Sequence, residues 1–75
     1  LERLIKQSLN DGLKLEMIYQ ANNGVFSQRI ITVKSFNDHH IIAYCFYRKQ
    51  TRMFRRDRIF SLFFCNRQHS SVKAT

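Results

Sequence analysis

Residues 13–25 read LKLEMIYQANNGV, and this stretch decides the fold. Leu13, Leu15, Met17 and Tyr19 alternate with Lys14, Glu16 and Gln20, the period of a half-buried strand, and Ile18 alone departs from it. Asn22-Asn23-Gly24 then supplies residues that tolerate positive φ, the strongest short hairpin signal in the chain. Downstream, a second strand is predicted from Val25 to Val33, with Phe26, Ile30 and Ile31 apolar and Arg29 interrupting the run. A polar turn at Asn37-Asp38 precedes a third strand, His40 to Tyr47. Arg48-Lys49-Gln50 makes the next turn, Thr51 to Arg55 a fourth strand, and Ile59 to Cys65 a fifth. Upstream, Leu1, Leu4, Ile5 and Leu9 form one stripe of a short helix over residues 1–11, with Gly12 where a left-handed cap belongs. So short a helix is marginal alone and must dock.

One helix followed by five short strands joined by tight turns defines a mainly β fold, a small closed or nearly closed barrel. Closure matters because strands as apolar as Ile41–Phe46 and Ile59–Cys65 would otherwise leave a sticky edge. The chain has 75 residues, room for a single core, and its 44% hydrophobic content suffices to build one. The domain is expected over residues 1–65, with the barrel at 13–65 and residues 66–75 a frayed polar tail.

No uncharged stretch approaches the roughly 18 apolar residues of a membrane span. Glu2, Arg3 and Lys6 interrupt the apolar start, which therefore does not read as a signal peptide. Leu1 is not expected to be a native start, and a segment cut from a longer protein and a stand-alone domain both stay open. Cys45 and Cys65 form neither a disulfide framework nor a zinc pattern, and a reducing cytoplasm fits them best.

Thirteen Lys and Arg against five Asp and Glu give a net charge of +8. Such an excess favours nucleic acid, nucleotides or acidic surfaces, although basic charge also keeps small domains soluble. It concentrates in residues 48–58, where Arg48, Lys49, Arg52, Arg55, Arg56 and Arg58 face only Asp57. Guanidinium forks bind phosphate bidentately, whereas ammonium acts as a point charge. In a strand, Arg52, Phe54 and Arg56 share one face. If Phe54 enters the core it draws Arg52 and Arg56 toward that side. The preferred alternative is that pairing breaks near Arg55 so that the next turn re-aims Arg55 and Arg58, and the sequence leaves the register open. Asp57 either orients an arginine by an ion pair or caps the turn, and the turn role is slightly preferred.

Phe46, Tyr47, Phe54 and Phe60 interleave with this charge, the composition of single-strand binders. A phenylalanine on a strand is nonetheless most simply core, so Tyr44 and Tyr47 are better candidates for a ligand surface. For catalysis there is no GxSxG, Walker loop or HExxH. His39 and His40 would point to opposite faces of a strand, and nothing has metal-ligand spacing. No enzyme, cofactor or metal is expected. A competing class is a protein-interaction or oligomerisation module, since an arginine-rich face also binds acidic protein and small barrels associate edge to edge. Membrane binding is weaker, because residues 1–12 carry two basic residues and a modest apolar face.

Arg29-Ile-Ile, His40-Ile-Ile-Ala-Tyr-Cys and Arg52-Met-Phe-Arg-Arg-Asp-Arg-Ile59 together resemble the WYL domain family. The last segment matches its pattern at Arg52, Phe54, Arg55, Asp57, Arg58 and Ile59, and the resemblance covers about residues 13–65. Three features depart from it: His40-Ile41-Ile42 replaces the Trp-Tyr-Leu triplet, Val33 stands where a proline is usual, and the loop between strands two and three is short. The resemblance implies an Sm-like, SH3-type barrel behind a short helix. It also implies a regulatory module of bacterial transcription factors or phage-defence systems, often following a DNA-binding domain and sensing nucleic acid or nucleotides. On that match the ligand-binding residues are Arg29, Arg52, Arg55 and Arg58, to which charge and chemistry add Arg48 and Tyr44. The expected partner is single-stranded nucleic acid or a nucleotide, with a DNA-binding domain, another protein or a second copy as further partners.

Overall fold

The computed structural model describes residues 1–65. The tail expected at residues 66–75 lies outside the described residues. Helix α1 spans Glu2–Asp11 and stops at Gly12, whose φ of 69° and amide bond to the Ser8 carbonyl (2.8 Å) make the left-handed cap. Five strands follow: β1 (Leu15–Gln20), β2 (Phe26–Phe36), β3 (His40–Cys45), β4 (Gln50–Arg55) and β5 (Ile59–Phe64). A single 3₁₀ turn, Arg56–Arg58, joins the last two.

The strands form one antiparallel sheet in the order β4-β3-β2-β1-β5. It curls back on itself. Tyr19 of β1 meets Phe54 of β4 edge-on, with ring centroids 5.1 Å apart, although β2 and β3 lie between their strands. The Tyr19 hydroxyl also accepts the Arg55 amide at 3.0 Å, so side chains rather than a ladder draw β4 toward β1.

The inner face collects Leu15, Met17, Ile31, Val33, Ile41, Ala43, Cys45, Phe54 and Leu62, with Ile5 of α1 closing one side. Each of these positions follows the two-residue period, which is why the alternation beginning at Leu13 was informative. Cys45 and Cys65 are both buried.

Local chemistry moves several boundaries from their expected places. β1 starts at Leu15, since the carbonyls of Leu13 and Lys14 are taken by the Ser8 hydroxyl and the Cys65 amide. In the first hairpin only Gly24 uses positive φ (85°); neither asparagine does. The Gly24 amide bonds the Ala21 carbonyl, and Asn23 accepts the Val25 amide instead. A register shift between Val33 and Ser35 lets β2 run on to Phe36. β3 ends at Cys45, not Tyr47, because Lys49 adopts φ 56° and returns its amide to the Cys45 carbonyl at 2.7 Å.

The helix docks through a narrower stripe than its leucines suggest. Ile5 and Ser8 are buried and Leu4 is half-buried, whereas Leu1 and Leu9 stay exposed. Ser8 is buried because its hydroxyl is fully used: it donates to Leu13 (2.7 Å) and accepts the Val33 amide (3.0 Å). No helix among the described residues is long and apolar enough to cross a membrane.

Candidate anion-binding surface

Arg29 occupies a core-facing position of β2, in line with Ile31 and Val33. Its guanidinium carbon lies 5.9 Å from the Phe54 ring centre, and Nη1 points at the Cys45 sulfur, 3.8 Å away. Its Nε is buried without a hydrogen-bond partner. A thiol is a weak acceptor, so this cation is enclosed by a ring and a sulfur rather than by a carboxylate. Burial pushes the Cys45 thiol up, but bonds from the Arg48 amide, the Arg29 side chain and the Tyr47 amide outweigh it. The thiol is held below its ordinary value.

β4 places Arg52 two residues before Phe54, on the same face, opposite Ala43. The pairing ends at Arg55, and the 3₁₀ turn carries Arg58 to the first hairpin. There Nη1 of Arg58 donates to the Ala21 carbonyl at 3.4 Å while its Nε, like that of Arg29, is buried and unpartnered. Among the described residues, Arg29, Arg48, Arg52 and Arg58 have no carboxylate within 4 Å.

The other arginines of the basic segment are committed. Arg55 makes a fork-to-fork pair with Asp57, through Nε at 3.0 Å and Nη2 at 2.6 Å. That pair holds the Asp57 carboxyl below the ordinary carboxylate range, the Arg55 hydrogen bonds being the main cause. Of the two roles weighed for Asp57, the structure shows the ion pair, made from within the 3₁₀ turn. Arg56 donates to the Asn37 carbonyl (2.7 Å) and to Glu2 (2.9 Å), with its guanidinium 5.9 Å from the Phe36 ring centre. It fastens α1 to the barrel.

Tyr44 and Arg48 stand apart from Arg29 and Arg52. Tyr44 pairs with Thr32 and Thr51 on the outer face, its ring 5.0 Å from Phe46. Arg48 sits in the turn after β3, 5.8 Å from the Tyr47 ring centre. Tyr47, Phe46, Gln28 and Ile30 line an outer cleft of about 300 Å³. A second cleft, of about 360 Å³, is lined by Asp38, His39, His40, Arg55 and Asp57. The two histidines share it, contrary to the strand rule, because His39 belongs to the turn and β3 begins at His40. No group of three or more His, Cys, Asp or Glu among the described residues is arranged to hold a metal ion.

The fold is WYL-like. The chain superposes on proteasome accessory factor B/C (PafBC) of Arthrobacter aurescens with a TM-score of 0.69 and 25% identity. The match covers 84% of this chain and 11% of that one, so this chain corresponds to a small part of the larger protein. No protein-family model and no curated protein matches the sequence.

Proposed function

We propose that this domain is a non-enzymatic regulatory module that binds the phosphates of single-stranded nucleic acid or a nucleotide. The likeness to PafBC supports a regulatory WYL-type domain, whose output passes to a DNA-binding domain, a protein partner or a second copy. The observation that carries the ligand reading is Arg29. A guanidinium on the core face, with a buried unpartnered Nε and no carboxylate, is costly unless an anion completes it. Arg52, two residues before Phe54 on the inner face, and Arg58 at the hairpin add charge with no carboxylate within 4 Å among the described residues, although Asp57 lies within electrostatic reach of Arg58. Arg55, oriented by Asp57, keeps one nitrogen free of that pair for a further phosphate.

Fluorescence anisotropy with single-stranded DNA, single-stranded RNA and duplex DNA across a salt series tests this. Single-strand binding with a log–log salt slope near −0.7 per phosphate contact supports it. No binding at low salt defeats it.

A second reading rests on Phe26 and Phe60, which are 50% and 73% exposed and meet edge-on at 5.2 Å. An exposed aromatic pair beside the hairpin that Arg58 reaches suits a protein interface. Binding of acidic peptides with no affinity for oligonucleotides favours it.

A further inference from the structure

The outer cleft at the β3–β4 turn lies on the face of β2 opposite Arg29, since Gln28 and Ile30 flank Arg29 in sequence. Its walls are rings: Phe46 is partly exposed, with the Lys14 ammonium 4.6 Å from its ring centre, and Tyr47 is 77% exposed. Ile30 provides an apolar base and Gln28 an exposed amide that both donates and accepts. Arg48, beside Tyr47, supplies positive charge at the rim. The volume, about 300 Å³, is at the small end of ligand pockets. Ring, amide and adjacent guanidinium are the three groups that hold an unpaired base and its phosphate.

We propose that this cleft is a base-stacking subsite in which an unpaired nucleobase packs on Tyr47, its edge toward Gln28 and its phosphate toward Arg48. The proposal rests on the anion reading above and deepens it, because it selects the ligand. Arg29 and Arg52 are on the inner face and the Tyr47 cleft is on the outer, with the turn from Phe46 to Lys49 between them. A mononucleotide reaches one or the other. Only a strand several nucleotides long passes over the turn and engages both. The subsite therefore favours a base-bearing strand over a free nucleotide, which the competition below reads.

The test uses the 75-residue chain, a labelled twelve-nucleotide oligothymidylate, the same backbone with abasic positions, and thymidine monophosphate as competitor. Tyr47→Ala should weaken the base-bearing oligomer about 5- to 150-fold, the span of one lost stacking contact. It should leave the abasic oligomer nearly unchanged, and Tyr47→Phe should retain binding. The monophosphate should compete poorly against the oligomer. Parent-like affinity in Tyr47→Ala, or equal losses on both oligomers, overturns the subsite while leaving the anion reading intact. Full competition by the monophosphate at comparable concentration also overturns it. Failure of the parent chain to bind any oligomer defeats both. Tyr47 is largely in solvent, so the variant should fold, which circular dichroism checks.

Discussion

The hydroxyl of Ser8 accepts the backbone amide of Val33 across 25 residues of sequence, at 3.0 Å, where β2 changes register. β1 begins at Leu15, opposite Ile31, so that amide lies past the start of the β1–β2 ladder, and a helix side chain takes it. The same oxygen donates to Leu13, so one buried group serves both helix docking and the start of β1.

Ser8→Ala should therefore destabilise the domain by about 1–3 kcal/mol, the cost of leaving a buried amide and a carbonyl unpaired. Urea unfolding measures it. A loss below a few tenths would show that water replaces the hydroxyl.

Arg29→Met should separate stability from binding. The thermal midpoint should be no lower than the parent's, because an unpaired cation leaves the core face. Oligonucleotide affinity should fall, and the salt slope should shrink by about 0.7. A lower midpoint with an unchanged slope would make Arg29 structural.

Arg56→Ala should cost about 1–2 kcal/mol, chiefly through the lost bond to the Asn37 carbonyl, without changing the affinity of the folded protein for oligonucleotides. The Glu2 carboxyl is held below its ordinary value, first by the Arg56 hydrogen bond and then by its charge. That contribution is complete above the ordinary carboxylate range and fades as pH falls through the lowered folded value. Carboxyl titration by NMR should show Glu2 returning toward its ordinary value in Arg56→Ala.

Lys49→Gly should stabilise the domain by roughly 0.5–1 kcal/mol, since a side chain at φ 56° carries strain that glycine lacks. The urea midpoint should rise at constant m-value. A drop would mean that the extra freedom of glycine in the unfolded chain outweighs the relief.

Much of the fold was legible because it depends on short-range periods. Leu15, Met17 and Tyr19 announced β1, Gly12 the helix stop, and the break after Arg55 followed from sending Phe54 inward. Ser8 was hidden because its burial depends on a backbone amide 25 residues away in sequence. Arg56 looked like one more basic residue because its partners, Glu2 and Asn37, are distant in sequence. For the candidate site, composition drew attention to the arginines, but faces are set by register. Tyr44 and Arg52 sit on opposite sides of neighbouring strands, a distinction that a count of charges cannot make.

The Arg56–Glu2 pair also bears on how the chain reaches this shape. Its members are 54 residues apart, and the bonds from the Arg55 amide to Tyr19 and from Arg58 to Ala21 span 36 and 37. Bringing such distant groups together costs chain entropy before any contact compensates, which slows folding in high-contact-order topologies. The hairpins formed by β1 to β4 are local and can assemble early, whereas the seam at the 3₁₀ turn joins only once nearly the whole chain is present. A nascent chain released before Arg56 would hold its first four strands and lack the clasp that fastens the helix. Mutations at this seam should act on the unfolding rate where its contacts form after the folding barrier and on the folding rate where they form before it, which a chevron of Arg56→Ala separates.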